Sequence, residues 1–479
     1  MSPPADLPLR RRPRPRPRRA WRAGEALVFR PFLLLVMVAP LPLGSNRPFA
    51  WSGLSLAMGL LLLLWATIAW REPRLVSLGL GRIWPVALPF LVLLGWSAAQ
   101  ALAPVPPPFG HPQWEAAGRA LGRSLPATMS LAPTDSLTGV MRLLLYGGAF
   151  LLAIEFGRER RLALSMLWAV SLAGAAYAAY GLVEWFAGNE HLLWFKRWDY
   201  GDSLTASFVN RNSFATYAGL ALVATLALLA RGLRLADRSR RRAGATEGAL
   251  VGLVVVTATA LLLSRSRAGN AAALAGVAAL MIALTLAWGR GSARGFFLLV
   301  AALLVGAVWV AGDALFLRLD GGEIGLGDRP AIWGRALAAI ADRPLTGHGL
   351  GAYPDIAHLY RDATLAGLDG TIDQAHSTYL ELAAEVGAPL TIALVCGFVW
   401  LAVACLGAVV KHRPDPVPAA AGFAATIIVG LHSIVDFSLQ IPAVTLTYLM
   451  LAGAGLGRAL GGRTFVSHSP SASAAAKRA

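Results

Sequence analysis

At 479 residues, 56% hydrophobic and only 14% charged, with a mean hydropathy of +0.58, the chain falls outside the composition of soluble domains and reads as an integral membrane protein. A net charge of +17 and a pI near 10.9 do not make it a nucleic-acid binder. The basic residues sit in short connections between apolar runs, where they set orientation in a bilayer. Cys396 and Cys405 share one apolar run, which excludes a disulfide framework and a cysteine metal site.

Residues 1–25 hold the densest basic block, Arg10 to Arg19, interrupted by prolines that forbid a helix, and are expected to form a disordered cytoplasmic tail. The tail either anchors topology or binds anionic headgroups. No small-residue cleavage site is clear after Leu43, so the first span is expected to be retained. Runs long enough to cross roughly 30 Å of hydrocarbon are predicted at 26–44, 51–70, 83–103, 137–157, 162–183 and 213–230. The second half adds 249–264, 268–288, 296–313, 386–410, 417–436 and 441–460, about twelve in all. With the N-terminus inside, every inside connection is basic, including Arg71 and Arg74, Arg158, Arg160 and Arg161, and six arginines from Arg231 to Arg242. The positive-inside rule then puts both termini in the cytoplasm.

Three longer polar segments are left outside, 104–136, 184–206 and about 314–385. The last is long enough for a small external subdomain. Its Gly-rich start, 320–328, reads as turns, and a helical pattern follows from Pro330 to Ala341. The stretch from Arg343 to Gly351 is too glycine-rich for a helix or strand. The expected fold is all-α and polytopic: a tail 1–25, transmembrane helices over 26–313, a loop subdomain 314–385 carrying short helices, transmembrane helices over 386–460 and a cytoplasmic tail 461–479.

Ionisable groups near membrane depth are costly, so each is a functional candidate. In Ser207-Phe208-Val209-Asn210-Arg211-Asn212-Ser213, two asparagines flank an arginine. The cluster suits phosphate or sugar hydroxyls; it also reads as a plain helix start capped by Asn212 or Ser213. Ser264-Arg265-Ser266-Arg267 places two arginines in a very short external turn, against the positive-inside bias. Either an anion compensates there, or the arginines snorkel to headgroups. In the long loop stand Arg329, ahead of Trp333, and His376, just before a helix whose Thr378 and Glu381 fit a capping box. A helix N-terminus disfavours imidazolium and would keep His376 neutral, as a general base must be; a histidine that only caps the loop is the other reading. His348 and His432 are weaker candidates of the same kind. No Walker loop, His or Cys cluster with metal spacing, Gly-x-Ser-x-Gly elbow or Asp-x-Asp pair occurs.

Five short motifs fall in one order: Asn210-Arg211-Asn212-Ser213-Phe214-Ala215, Leu263-Ser264-Arg265-Ser266, Arg329 with Trp333, Asp342 through Gly351, and His376-Ser377 through Glu385-Val386-Gly387. On these, over roughly residues 205–405, the chain resembles the O-antigen ligase and O-antigen polymerase superfamily of bacterial membrane glycosyltransferases. The resemblance implies a metal-independent, inverting transfer of a glycan from undecaprenyl diphosphate to an acceptor hydroxyl, such as lipid A-core, at the periplasmic face of the inner membrane. It implies a catalytic role for His376 and diphosphate binding for Arg265 and Arg329, with Arg211 at a common family position, and no cofactor. Where family ligases continue the histidine motif with Gly, Thr or Tyr, this chain has Leu390 after Gly387-Ala388-Pro389. Repeat-unit polymerases for O-antigen or exopolysaccharide and protein O-oligosaccharyltransferases share the motifs, so they stand as alternatives. The segment from His432 to Pro442 also resembles family members, though a structural turn explains it as well. A transporter of a lipid-linked or anionic solute, from another class, should instead carry charged or broken helices at the bilayer midplane.

Overall fold

The structure, a computed structural model, describes residues 21, 23–73, 79–102, 104–106, 109–189, 191–240, 242–289, 329–361, 373–411 and 415–461. The predicted span at 296–313, the turns at 320–328, nearly all of the basic tail and residues 462–479 lie outside them.

Among the described residues, eight helices are long and apolar enough to cross a membrane: α2 (Pro48–Arg71), α3 (Trp84–Ala101), α5 (Pro133–Gly157), α6 (Arg160–Phe186), α7 (Arg211–Arg238), α8 (Ala245–Leu263), α9 (Arg267–Trp288) and α13 (Ala388–Val410). Three more predicted spans coincide with shorter or less apolar helices. They are α1 (Arg30–Val38), entered through a π turn at Glu25–Phe29, then α14 (Val417–His432) and α15 (Pro442–Ala459). Pro40 and Pro42 lack the N–H that would carry α1 further. Short helices α4 (Pro112–Leu121), α10 (Arg329–Asp342), α11 (Tyr353–Leu359) and α12 (Thr378–Val386) complete the all-α architecture. A minimal hairpin, β1 (His191–Leu192) antiparallel to β2 (Phe195–Lys196), is the only sheet among the described residues.

The whole membrane-length stretch of α7 is buried. It is the central post, packed by α6, α8, α9 and α14. In a bilayer, apolar side chains gain little by leaving lipid for protein, so helices associate through close backbone approach. Helices α5 and α15 do this with glycine: a Cβ on Gly453 would lie 2.5 Å from that of Ala153, and one on Gly457 would lie 2.6 Å from the Ile154 carbonyl. At one end of the bundle the connections are tied by ion pairs, Asp415 lying 2.8 Å from Arg160 and 2.7 Å from Arg231.

Helices α10, α11 and α12 gather at the other end over a second, smaller core containing Ala336, Ala339, Tyr353, Ile356 and Ala384. Leu131 and Ala132, from the start of α5, join it. Burying a side chain the size of Ile356 away from water stabilises by roughly 1.5–3 kcal/mol. The glycine-rich stretch is a compact turn, as the sequence requires: Gly347 has φ +67°, and its amide donates to the Arg343 carbonyl.

Candidate functional site

Helix α7 begins one residue ahead of the expected cap. Asn210 is the N-cap, its side chain accepting the Asn212 N–H at 2.7 Å, so neither Asn212 nor Ser213 caps and both lie inside the first turn. Freed from capping, Asn212 bridges two other elements. Its Nδ2 donates to Asp436 Oδ2 at 2.6 Å, and its Oδ1 accepts from Ser266 Oγ at 2.7 Å. Ser266 is the N-cap of α9 and accepts from Gly269 N. The turn between α8 and α9 is thereby fixed against α7, with Arg265 in the left-handed region at φ +53°.

Arg265 and Arg211 share one carboxylate. Arg265 Nη1 lies 3.6 Å from Asp202 and Arg211 Nη1 lies 3.8 Å from it; Arg211 also donates to Ser203 Oγ at 3.2 Å. Each guanidinium stacks on an aromatic ring, Arg265 on Trp185 in the last turn of α6 at 5.5 Å and Arg211 on Tyr200 in the segment after it at 5.2 Å. Half-exposed ion pairs of this length contribute about 0–1 kcal/mol, so Asp202 orients the arginines more than it stabilises them. Two guanidiniums over one carboxylate leave a positive site.

His376 sits where the helix start was expected, but the capping differs. Ser377 is the N-cap of α12, while Glu381 accepts the Ala375 N–H at 2.8 Å and a hydrogen bond from Gln440, so Thr378 and Glu381 form no capping box. The Thr378 N–H and Oγ1 donate to the Asp436 carbonyl at 3.2 and 2.9 Å, and the N–H also reaches the Ser433 carbonyl. His376 is thus held against the turn between α14 and α15 at φ +51°, its ring edge-on to Phe437 at 5.3 Å. Its Nδ1 is buried with no hydrogen-bond partner. Burial pushes the imidazole pKa down; Asp436 opposes this and Arg329 reinforces it, so the ring is neutral at pH 7.

Arg329 opens α10, and no carboxylate among the described residues pairs with it. Its charge reaches His376, and also Tyr200, on which Arg211 and Asp436 act too. The four residues singled out in the sequence, Arg211, Arg265, Arg329 and His376, therefore meet at one end of the bundle. His432 borders them, its Nδ1 2.5 Å from Thr216 Oγ1.

His348 does not join them. It pairs with His111, Nδ1 to Nε2 at 2.9 Å, and its own Nε2 donates to the Ala339 carbonyl at 2.9 Å. His348 Nδ1 must then accept from His111 Nε2, whose Nδ1 accepts from Gln113 N at 3.3 Å. All four ring nitrogens are used by two neutral rings.

A cavity of about 630 Å³ opens beside the site between α3, α5, α12, α13 and α15. Its walls are mostly apolar, and its polar lining includes Arg142, Glu381, Glu385 and Gln440. Arg142 donates to the Gln440 carbonyl and stacks on Trp51 at 5.1 Å. Burial raises the Glu385 carboxyl to about 7 and Glu381 well above the usual range, the second also pushed by its neighbour. Asp202 and Arg142 had no local signal in the sequence. Asp436 had one, the segment from His432 to Pro442, which reads equally well as a turn.

No curated protein matches the chain. Residues 252–395 match the family model described as O-Antigen ligase, a stretch that contains Arg265, Arg329 and His376 and stops short of Arg211. Over that stretch, which is less than a third of its length, the chain is similar to O-antigen ligases.

Proposed function

We propose that this chain is an O-antigen ligase-type glycosyltransferase, moving a glycan from undecaprenyl diphosphate to an acceptor hydroxyl, such as that of lipid A-core, at the periplasmic face of the inner membrane. The observation that carries this reading is the convergence of three arginines on an uncapped, neutral histidine at one end of a membrane bundle. Arg265 and Arg211 would hold the diphosphate, and Arg329 would lie nearer the reacting centre. As the bond from the anomeric carbon to the diphosphate oxygen breaks, the leaving group gains negative charge, which fixed guanidiniums stabilise without reorganising. His376 Nδ1 takes the proton of the acceptor hydroxyl as its oxygen attacks the opposite face of that carbon, inverting it in one displacement. In this scheme the protein requires no metal. The division into two tails, two sets of spans and a loop subdomain over 314–385 belongs to the same reading.

Reconstituted with lipid-linked donor and acceptor, the wild type should form product, insensitive to chelator. His376→Ala, Arg265→Ala and Arg329→Ala should reach the membrane and lose transfer by about 100-fold or more. Full activity of His376→Ala would refute the assignment. A transporter would instead move its solute across proteoliposomes and form no glycosidic bond.

A further inference from the structure

A second cleft, about 710 Å³, lies between the end of α6 and the turn 197–201. It shares two walls with the arginine pair. Trp185 and Tyr200 both line it, and they are the rings on which Arg265 and Arg211 stack. The cleft and the arginine pair are thus neighbours across these two rings, within the reach of a ligand larger than the anion alone. The cleft is small-ligand sized and chemically mixed, not an apolar groove.

Its polar groups are arranged for hydroxyls. Glu184 Oε2 is buried and has no hydrogen-bond partner among the described residues, a strong acceptor open to a donor. Arg197 is committed to shaping the turn, its Nη1 donating to the carbonyls of Ser203 at 2.9 Å and Tyr200 at 3.3 Å. Trp198, which lines the cleft and is half exposed, has Arg47 over its ring at 5.7 Å. A pyranose presents an apolar C–H face and a rim of hydroxyls. An indole face beside an unpaired carboxylate oxygen complements both.

We propose that this cleft is a saccharide subsite, holding a sugar of the glycan whose diphosphate rests on Arg211 and Arg265. The proposal depends on the lipid-linked transferase reading and adds where the donor's sugar lies. The full chain in nanodiscs is titrated with two probes: undecaprenyl diphosphate carrying the host's own repeat unit, and undecaprenyl diphosphate without sugar. The wild type should bind the glycosylated lipid about tenfold tighter, the scale of one good stacking or charge-assisted contact. Trp198→Ala and Glu184→Gln should each erase most of that preference and leave the bare lipid diphosphate unaffected, with Trp198→Phe falling between. An unchanged preference overturns the subsite, as does equal weakening on both lipids, the signature of a headgroup anchor or a damaged fold. An effect confined to the acceptor's KM also overturns it, by giving the cleft to the acceptor glycan. Failure of the underlying reading shows differently: the bare lipid diphosphate would not bind, and Arg265→Ala would change nothing.

Discussion

The buried His111–His348 pair makes a prediction that can be worked through. Both rings must be neutral for the relay from Gln113 N to the Ala339 carbonyl to close. Burial, then the charges of His348 and Arg343, bring His111 down to about 4, and burial depresses His348. Of the charges facing the pair, Arg343 pushes both rings the same way, while Asp342, engaged by the Tyr360 hydroxyl at 2.5 Å, opposes it at His348. A depressed folded pKa means the opened segment binds more protons, so stability is complete above about 6.5 and is lost as pH falls toward about 4. At pH 5, a shift of this size costs about 1–2 kcal/mol after allowance for screening near the surface, roughly a 5- to 30-fold change in local opening. The reporters are the amides of His111 and Leu131, which donate to the carbonyls of Thr128 and His348. Hydrogen exchange at pH 8 and pH 5, corrected for intrinsic rates, should show their protection falling by that factor while α7 stays protected. In the double variant His111→Gln, His348→Gln, protection should not depend on pH. Equal protection at both pH values in the wild type, or the same loss in the double variant, would refute the relay.

Three further outcomes are expected. The acid limb of the pH-rate profile should lie below the ordinary histidine range, because burial and Arg329 depress His376. Asp436→Asn removes the charge that opposes them and should move that limb to still lower pH, whereas residual activity in Arg329→Gln should show it moved up; the reverse order would exclude His376 as the titrating base. Gly347→Ala should lose at least about 2 kcal/mol of stability in thermal unfolding, since the residue sits at φ +67° and a Cβ would fall 2.2 Å from the Glu385 carbonyl oxygen.

Much of the architecture was legible because a bilayer leaves few options: an apolar run of membrane length must be helical. Helices α2, α3, α5 to α9 and α13 accordingly lie on predicted runs. Caps were harder to read, because Asn210, Asn212, Ser213, Ser377 and Thr378 are all competent and tertiary partners choose among them. Asn212 was drawn away by Asp436, 224 positions distant, and Glu381 by Gln440, 59 distant. The candidate residues could be picked out singly, because charge at membrane depth is costly. That Asp202 joins Arg211 to Arg265 had no local signature. Nor did the pairing of His111 with His348, which spans 237 positions.

The tie between Thr378 and the Asp436 carbonyl has a consequence for how such a protein can change. It ties His376, just ahead of α12, directly to the membrane bundle, so the ring's place does not rest on α10 and α11 alone. Those helices rest on a core of their own, so their outer contours can vary while the imidazole keeps its place.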